Sequence, residues 1–339
     1  LFVTIFGMDY TAGLIIGDVI ILAYTALGGF TAVCWTDTIQ GAIMFFALII
    51  VPIIGISSAG GMEGLTSRLA ELTPESLGFF PEQNGTINTL LLASALGWGL
   101  GYFGQPHILV RFMAIESPEM IRKSRIIAMI WVGITLTCAV SIGVIGKALM
   151  PDLADGETVY MVLINELFNP VVAGVLLIAI LAAIMSTASS QLLVTASSVS
   201  KDLYAVLLKK DSDGPEIVWV SRITVIIVSV IAIVMAINPE SSVFGLVSCA
   251  WGGFGSAFGP MILFSLFWKR MTLPGAIAGM ITGGVVDLFW YNMSGGIFDI
   301  YEIIPGFIFS SLAIIIFSMC SKLPEEIKEE FESVKNAKI

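Results

Sequence analysis

Three short stretches of this sequence set chemically capable groups inside long apolar surroundings. The first is Leu181–Val194, LAAIMSTASSQLLV. Ala183, Ser186 and Thr187 have the i, i+3, i+4 spacing of one helical face. Two hydroxyls and a carbonyl beside a small residue are neutral, hard oxygen ligands. They suit an alkali cation that must also leave, whereas carboxylates would hold divalent ions more tightly. The competing reading is small-residue helix packing, with the hydroxyls bonded back to carbonyls of the preceding turn. On spacing alone the packing reading is favoured.

The second stretch is Gly97–His107, GWGLGYFGQPH. Its four glycines and one proline argue against a continuous regular helix. A helix broken at membrane depth frees backbone carbonyls and amides to bind ions and substrate. Trp98 and Tyr102 are four apart and share a face if the local turn is helical. Such a pair could wall off a small zwitterion. Close helix packing with an interfacial aromatic belt explains the same residues equally well. The third stretch is Trp35–Gln40, WTDTIQ, read as a cytoplasmic connection between two helices. Asp37 then caps the second helix, or attracts a cation leaving an inner vestibule. Asp18 and Asp287 also fall in apolar runs, where a central carboxylate costs about 2.5–3.5 kcal/mol on insertion scales. Both are expected within two turns of a helix end, so snorkelling explains them and no function is assigned.

The elements that hold these groups follow from composition. Of 339 residues, 57% are in the AVILMFWYC set, and 34 glycines bring the apolar share to about two thirds. Charged residues make up 12%, about half the usual share of a soluble domain. Too little charge remains to cover a soluble surface of this size. A cytosolic enzyme, a disordered chain, a collagen and a disulfide scaffold are excluded, leaving an all-α, polytopic transmembrane protein. Cys34, Cys138, Cys249 and Cys320 lie in or beside apolar runs without CxxC spacing and read as small buried hydrophobes. A single histidine, His107, argues against a His-based metal site. The net charge of −10 argues against nucleic acid, and nothing implies an obligate protein partner.

A membrane-spanning helix needs about 20 mainly apolar residues. Nine stretches qualify: about 12–32, 39–58, 88–112, 126–149, 165–200, 218–237, 242–268, 274–292 and 301–321. The fifth is too long for one crossing and is expected as a short piece ending at Asn169–Pro170, then a long tilted helix. The 16 Lys and Arg residues divide sharply between the alternating connections. Fourteen fall on one side, and only Arg68 and Lys147 on the other. The positive-inside rule then sets the C-terminus in the cytoplasm and Leu1 outside. The outer loop Ser57–Asn88 carries Glu63, Glu71, Glu75 and Glu82. Residues 1–321 are therefore expected as a transmembrane domain. Residues 322–339, with Glu325, Glu326, Glu329, Glu330 and Glu332 among lysines, are expected as a charged cytoplasmic tail forming a short solvated helix. The start at Leu1, directly in an apolar run, is expected to lie within a longer protein.

These motifs carry a resemblance. Tyr24–Gln40 (YTALGGFTAVCWTDTIQ), Gly97–Met113 (GWGLGYFGQPHILVRFM) and Leu181–Val194, with Gly245–Pro260 and Tyr301–Phe309, closely resemble proline-type members of the sodium:solute symporter family. The resemblance covers essentially the whole chain. It implies a LeuT-like core of two inverted five-helix repeats, of which the nine stretches would be the last nine helices of thirteen. The second repeat, about 88–268, would be complete. It also implies that Ala183, Ser186 and Thr187 are sodium ligands and that Trp98, Tyr102 and Pro106 belong to the substrate site. Gln105 would be a pocket neighbour, and Asp37 an aspartate linked to sodium dependence near the inner exit. The function implied is import of L-proline across a bacterial plasma membrane, with Na+ as the coupling ion and the lipid bilayer as the solvent. No nucleophile–base arrangement suggests an enzyme. The alternatives are a symporter for another small carboxylate such as pantothenate, a symporter-like sensory membrane module, and a passive channel.

Overall fold

The computed structural model describes residues 1–72, 82–83, 86–208, 214–237 and 243–336. Glu75, Lys209, Lys210 and Lys338 of the charge pattern lie outside these residues. The described residues form helices joined by short turns, with one two-residue hairpin, β1 (Glu82–Gln83) and β2 (Thr86–Ile87). The helices are α1 (Phe2–Phe6), α2 (Tyr10–Ser58), α3 (Gly61–Leu72), α4 (Thr89–Gly97), α5 (Pro106–Met113), α6 (Pro118–Leu149) and α7 (Val159–Leu167). They continue with α8 (Pro170–Ser197), α9 (Val206–Leu208), α10 (Pro215–Ala236), α11 (Val243–Phe267), α12 (Leu273–Tyr291), α13 (Ile303–Cys320) and α14 (Glu325–Asn336). Among the described residues seven spans are long and apolar enough to cross a membrane; Tyr10–Ala26 and Thr89–Gly104 are shorter apolar helices. The chain is a multi-pass membrane protein.

Polar residues mark where the helices begin. Asp9 Oδ1 accepts the Ala12 amide at 3.2 Å, and Asn88 Oδ1 accepts the Leu91 amide at 3.0 Å. Asn169 Oδ1 accepts the amides of Val171 and Val172 at 3.2 and 3.1 Å, directly before Pro170. These caps satisfy amides that have no partner within the first turn. Pro170 starts α8 because its fixed φ suits a first turn and it has no amide hydrogen to leave unpaired. The expected division of the fifth stretch at Asn169–Pro170 is found there. The helix then runs on through a π-helical segment, Ser198–Ala205.

Three expectations need correction. The connection expected at Trp35–Gln40 is helical, and the chain bends earlier, at Gly29 with φ 64° and ψ −168°. Only glycine takes that conformation cheaply. Thr36 and Thr38 are accommodated in the helix because their hydroxyls donate to the carbonyls of Ala32 and Cys34. Asp37 is therefore an interior residue of α2 and not an N-cap. The second correction is Asp287, which does not snorkel. It is 0% exposed within α12, and its Oδ1 accepts a hydrogen bond from Ser256 Oγ at 3.0 Å. The third is the cysteines, expected as buried: all four are free, but none is buried, Cys320 being exposed and the others half-buried.

The chain divides into two compact units. The first comprises Leu1–Leu77 and Lys123–Glu240. Its core gathers Val51, Ile145, Leu163, Ile164 and Leu176 around the packing of α2, α7 and α8. The second comprises Gly78–Arg122 and Ser241–Ile339. There α11, α12 and α13 pack on one another at glycines. A Cβ on Gly283 would strike the Ser256 carbonyl, and one on Gly279 would strike Ile314. Lipid supplies no hydrophobic drive between helices, so such close approach is what holds them together.

Candidate functional site

Within the first unit, the candidate ion ligands lie on α8. Ala183 and Ser186 are half-buried and Thr187 is exposed. Ser186 Oγ donates to the Ala183 carbonyl at 3.1 Å, so two of the three groups already touch. Both are oxygens of low charge, and a cation could replace the hydroxyl hydrogen as the partner of that carbonyl. One turn on, Ser189 is fully buried and donates to the Ser186 carbonyl at 3.2 Å. Ser190 Oγ donates to Asp37 Oδ2 at 3.1 Å. Tyr24 Oη donates to the Met185 carbonyl at 2.8 Å.

Thus α2 is fastened to the polar stretch of α8 on both sides of the Gly29 bend. Tyr24 lies before the bend and Asp37 after it. Asp37 thereby reaches the same helix as the candidate ligands. Ser189, Ser190 and Tyr24 were not singled out by spacing. The sequence signal for the serines was the continuous run Ser186-Thr187-Ala188-Ser189-Ser190.

Within the second unit, regular helix stops after α4. Trp98–Gly104 is a 3₁₀ segment, and α5 resumes at Pro106. The four-residue spacing of Trp98 and Tyr102 therefore does not put them on one face. A 3₁₀ helix has three residues per turn, so they diverge by about 120°. Trp251 of α11 joins them instead. Its ring stacks on Trp98 at 5.5 Å between centroids, and meets Tyr102 edge-on at 4.8 Å. Its Nε1 donates to the Trp98 carbonyl at 2.9 Å, a backbone group that the interrupted helix exposes.

Phe244 and Tyr301 also stack on Trp98, at 5.7 and 5.8 Å. Tyr102 keeps 42% of its surface exposed. Gln105 is buried, and its amide donates to the carbonyls of Gly101 and Trp251, both at 3.3 Å. It pins the break and offers no free donor outward. Pro106 begins α5. The result is an aromatic wall of Trp98, Tyr102 and Trp251 beside the 3₁₀ segment that interrupts the helix. Trp251 and Tyr301 lay within matched runs but carried no spacing signal, because they lie about 150 and 200 residues from Trp98.

The two groups of residues belong to different units. Among the described residues no group of three or more His, Cys, Asp and Glu could hold a metal ion, so an ion at the α8 group would rely on hydroxyl and carbonyl oxygens.

The chain is 47% identical over 338 residues to a sodium/proline symporter of Salmonella typhimurium, covering 97% of this chain and 66% of that protein. It is 46% identical over 332 residues to the sodium/proline symporter of Escherichia coli, covering 96% and 65%. Against a high-affinity proline transporter of Bacillus subtilis the identity is 44% over 342 residues, covering 99% and 71%. The chain thus spans about two thirds of the length of the relatives it matches. Among solved structures, that of a substrate-bound, outward-open Na+-coupled sialic acid symporter superposes with a TM-score of 0.72 at 20% identity. It covers 94% of this chain and 69% of that one, and the two share the expected LeuT-like fold. A model of the sodium:solute symporter family matches residues 1–283. With that model over most of its length and nearly half its positions shared with those relatives, this chain belongs to the sodium:solute symporter family.

Proposed function

We propose that this protein imports L-proline in symport with sodium, by alternating access across a bacterial plasma membrane with its C-terminus in the cytoplasm. The observation that carries the reading is the interrupted helix at Trp98–Gly104 and its aromatic wall. It lies within matches of 44–47% identity to proteins named as proline transporters. In this reading Trp98, Tyr102 and Pro106 meet the substrate, with the pyrrolidine ring against the aromatic faces. Gln105 holds the break open from behind. Ala183, Ser186 and Thr187 ligate sodium through a carbonyl and two hydroxyls, and Asp37 guides the ion along α8. The repeat about 88–268, the transporter domain 1–321 and the charged tail 322–339 are part of the same proposal.

Proline is a neutral zwitterion, so each sodium carried moves one net charge inward. A membrane potential supplies about 2.3 kcal/mol per charge per 100 mV. A tenfold sodium gradient adds about 1.4 kcal/mol. One ion then supports accumulation of several hundredfold. The test is uptake of labelled proline and labelled pantothenate by vesicles from cells expressing the protein, with sodium or choline outside. Proline uptake that needs sodium and is not competed by pantothenate is expected. Uptake that ignores the sodium gradient would make the protein a passive channel. Absence of any proline uptake, with binding retained, would turn the reading toward a sensory module.

A further inference from the structure

Asp287 takes no part in either group above, yet it is the one aspartate or glutamate that is fully buried among the described residues. Its environment is unusual for a carboxylate. Oδ1 accepts from Ser256 Oγ at 3.0 Å. Oδ2 is buried without any hydrogen-bond partner. The carboxyl lies against Gly252 and Gly253 of α11, where a Cβ would stand 3.0 Å from Oδ1 and 3.6 Å from Oδ2 respectively. Glu302, at the start of α13, approaches the same glycine, with Oε1 3.3 Å from the Gly252 Cβ position. The other titratable groups facing Asp287 are Cys249 and Tyr301, neither of which is a cation.

No lysine, arginine or histidine occurs anywhere in α11, α12 or α13. Those are the three helices that pack around this carboxyl. A buried carboxylate without a paired charge is costly by several kcal/mol, and within a membrane helix such a group marks a site by default. Within these three helices nothing compensates the charge, which leaves a bound cation or a proton.

We propose that Asp287, Ser256 and Glu302 form a binding site for a monovalent hard cation within the α11–α12–α13 bundle. The oxygens are of the right kind: both Asp287 oxygens, the Ser256 hydroxyl, the Glu302 carboxyl and the Ile303 carbonyl, which lies 3.5 Å from Ser256 Oγ. Hard oxygens of this sort select alkali and alkaline-earth cations. Asp287 is fully buried whereas Glu302 is only half-buried and keeps contact with its surroundings, so the charge that needs a partner inside the bundle is the single one on Asp287. A proton on Oδ2 would leave an O–H donor facing the same lack of partners, whereas a cation engages the unpaired oxygen directly. Gly252 and Gly253 leave the space. The site shares no residue with α8, so the sodium reading of Ser186 and Thr187 stands or falls separately.

Sodium-dependent thermal unfolding of the purified protein tests it, with choline replacing sodium at constant ionic strength. The variants are Asp287→Asn, Ser256→Ala and the α8 double variant Ser186→Ala/Thr187→Ala. Sodium is expected to raise the unfolding midpoint of the parent and, in part, of the α8 variant. Ser256→Ala should raise the half-saturating sodium concentration roughly tenfold or more. Asp287→Asn should abolish this component and raise the midpoint in choline, since the amide carries no uncompensated charge. If Asp287→Asn does not fold, Ser256→Ala alone decides. A sodium response unchanged in these variants and lost only in the α8 variant overturns the proposal while sparing the α8 assignment. A response that Asp287→Asn removes but that follows pH and not sodium also overturns it, since the ligand is then a proton.

Discussion

The hydroxyl of Ser186 has two partners to choose between: the Ala183 carbonyl, which it contacts at 3.1 Å, or a cation bound to both oxygens. Back-bonding of this kind is common in membrane helices and has no functional meaning by itself. What tips the balance is neighbourhood. The next turn carries Ser190 hydrogen-bonded to Asp37, so a carboxylate approaches the same helix from α2. If the oxygens ligate sodium, Ser186→Ala and Thr187→Ala should each raise the sodium concentration for half-maximal proline uptake by roughly tenfold, about 1.4 kcal/mol of lost ligation. Protein level in the membrane should stay the same. Equal sodium dependence in parent and both variants would return these hydroxyls to simple helix packing.

The interrupted helix spanning α4, the 3₁₀ segment and α5 depends on glycine at a particular place. Gly101 faces Trp251 so closely that a Cβ there would overlap the indole Nε1, while Gly99 has nothing within 4 Å. Gly101→Ala must displace the indole. That breaks its bond to the Trp98 carbonyl and its stack on Trp98, at a cost of about 1–3 kcal/mol for overpacking. Gly99→Ala should be nearly silent and serves as the control. Unfolding midpoint and tryptophan emission report the two effects; equal behaviour of the variants would mean that Trp251 does not clamp the break. The same dependence on one glycine governs α2. There Gly29 provides the bend with a positive φ and an unobstructed surrounding, and Tyr24 and Asp37 grip α8 from either side of it.

For the molecule as a whole, coupling means that the ion must alter how well the solute binds, and the reverse by the same factor. Ligands that bind only the folded protein stabilise it by mass action, by about 2.7 kcal/mol at one hundred times the dissociation constant. Proline should accordingly raise the unfolding midpoint strongly in sodium and weakly in choline, and sodium should act more strongly when proline is present. Proline protection that is identical in both salts would separate solute binding from the ion and contradict symport.

Composition and charge pattern were enough to reach an all-α membrane protein with Asn169–Pro170 as a helix boundary, because lipid forces every span into a long apolar helix. Glycine and proline density marked the break at Gly97–His107 for an equally local reason: these residues cannot continue a regular ladder. The polar run Trp35–Gln40 misled, since local polarity suggests a loop. Its threonines bond within their own helix and Asp37 finds Ser190, 153 positions away. Asp287 misled in the same way, as its depth depends on α11 and α13 closing around it. Trp251 reaches Trp98 from 153 residues along the chain to form the aromatic wall. Period and composition encode how a segment folds upon itself. Which distant side chain comes to meet it depends on the packing of separate helices, and no spacing along the chain records that.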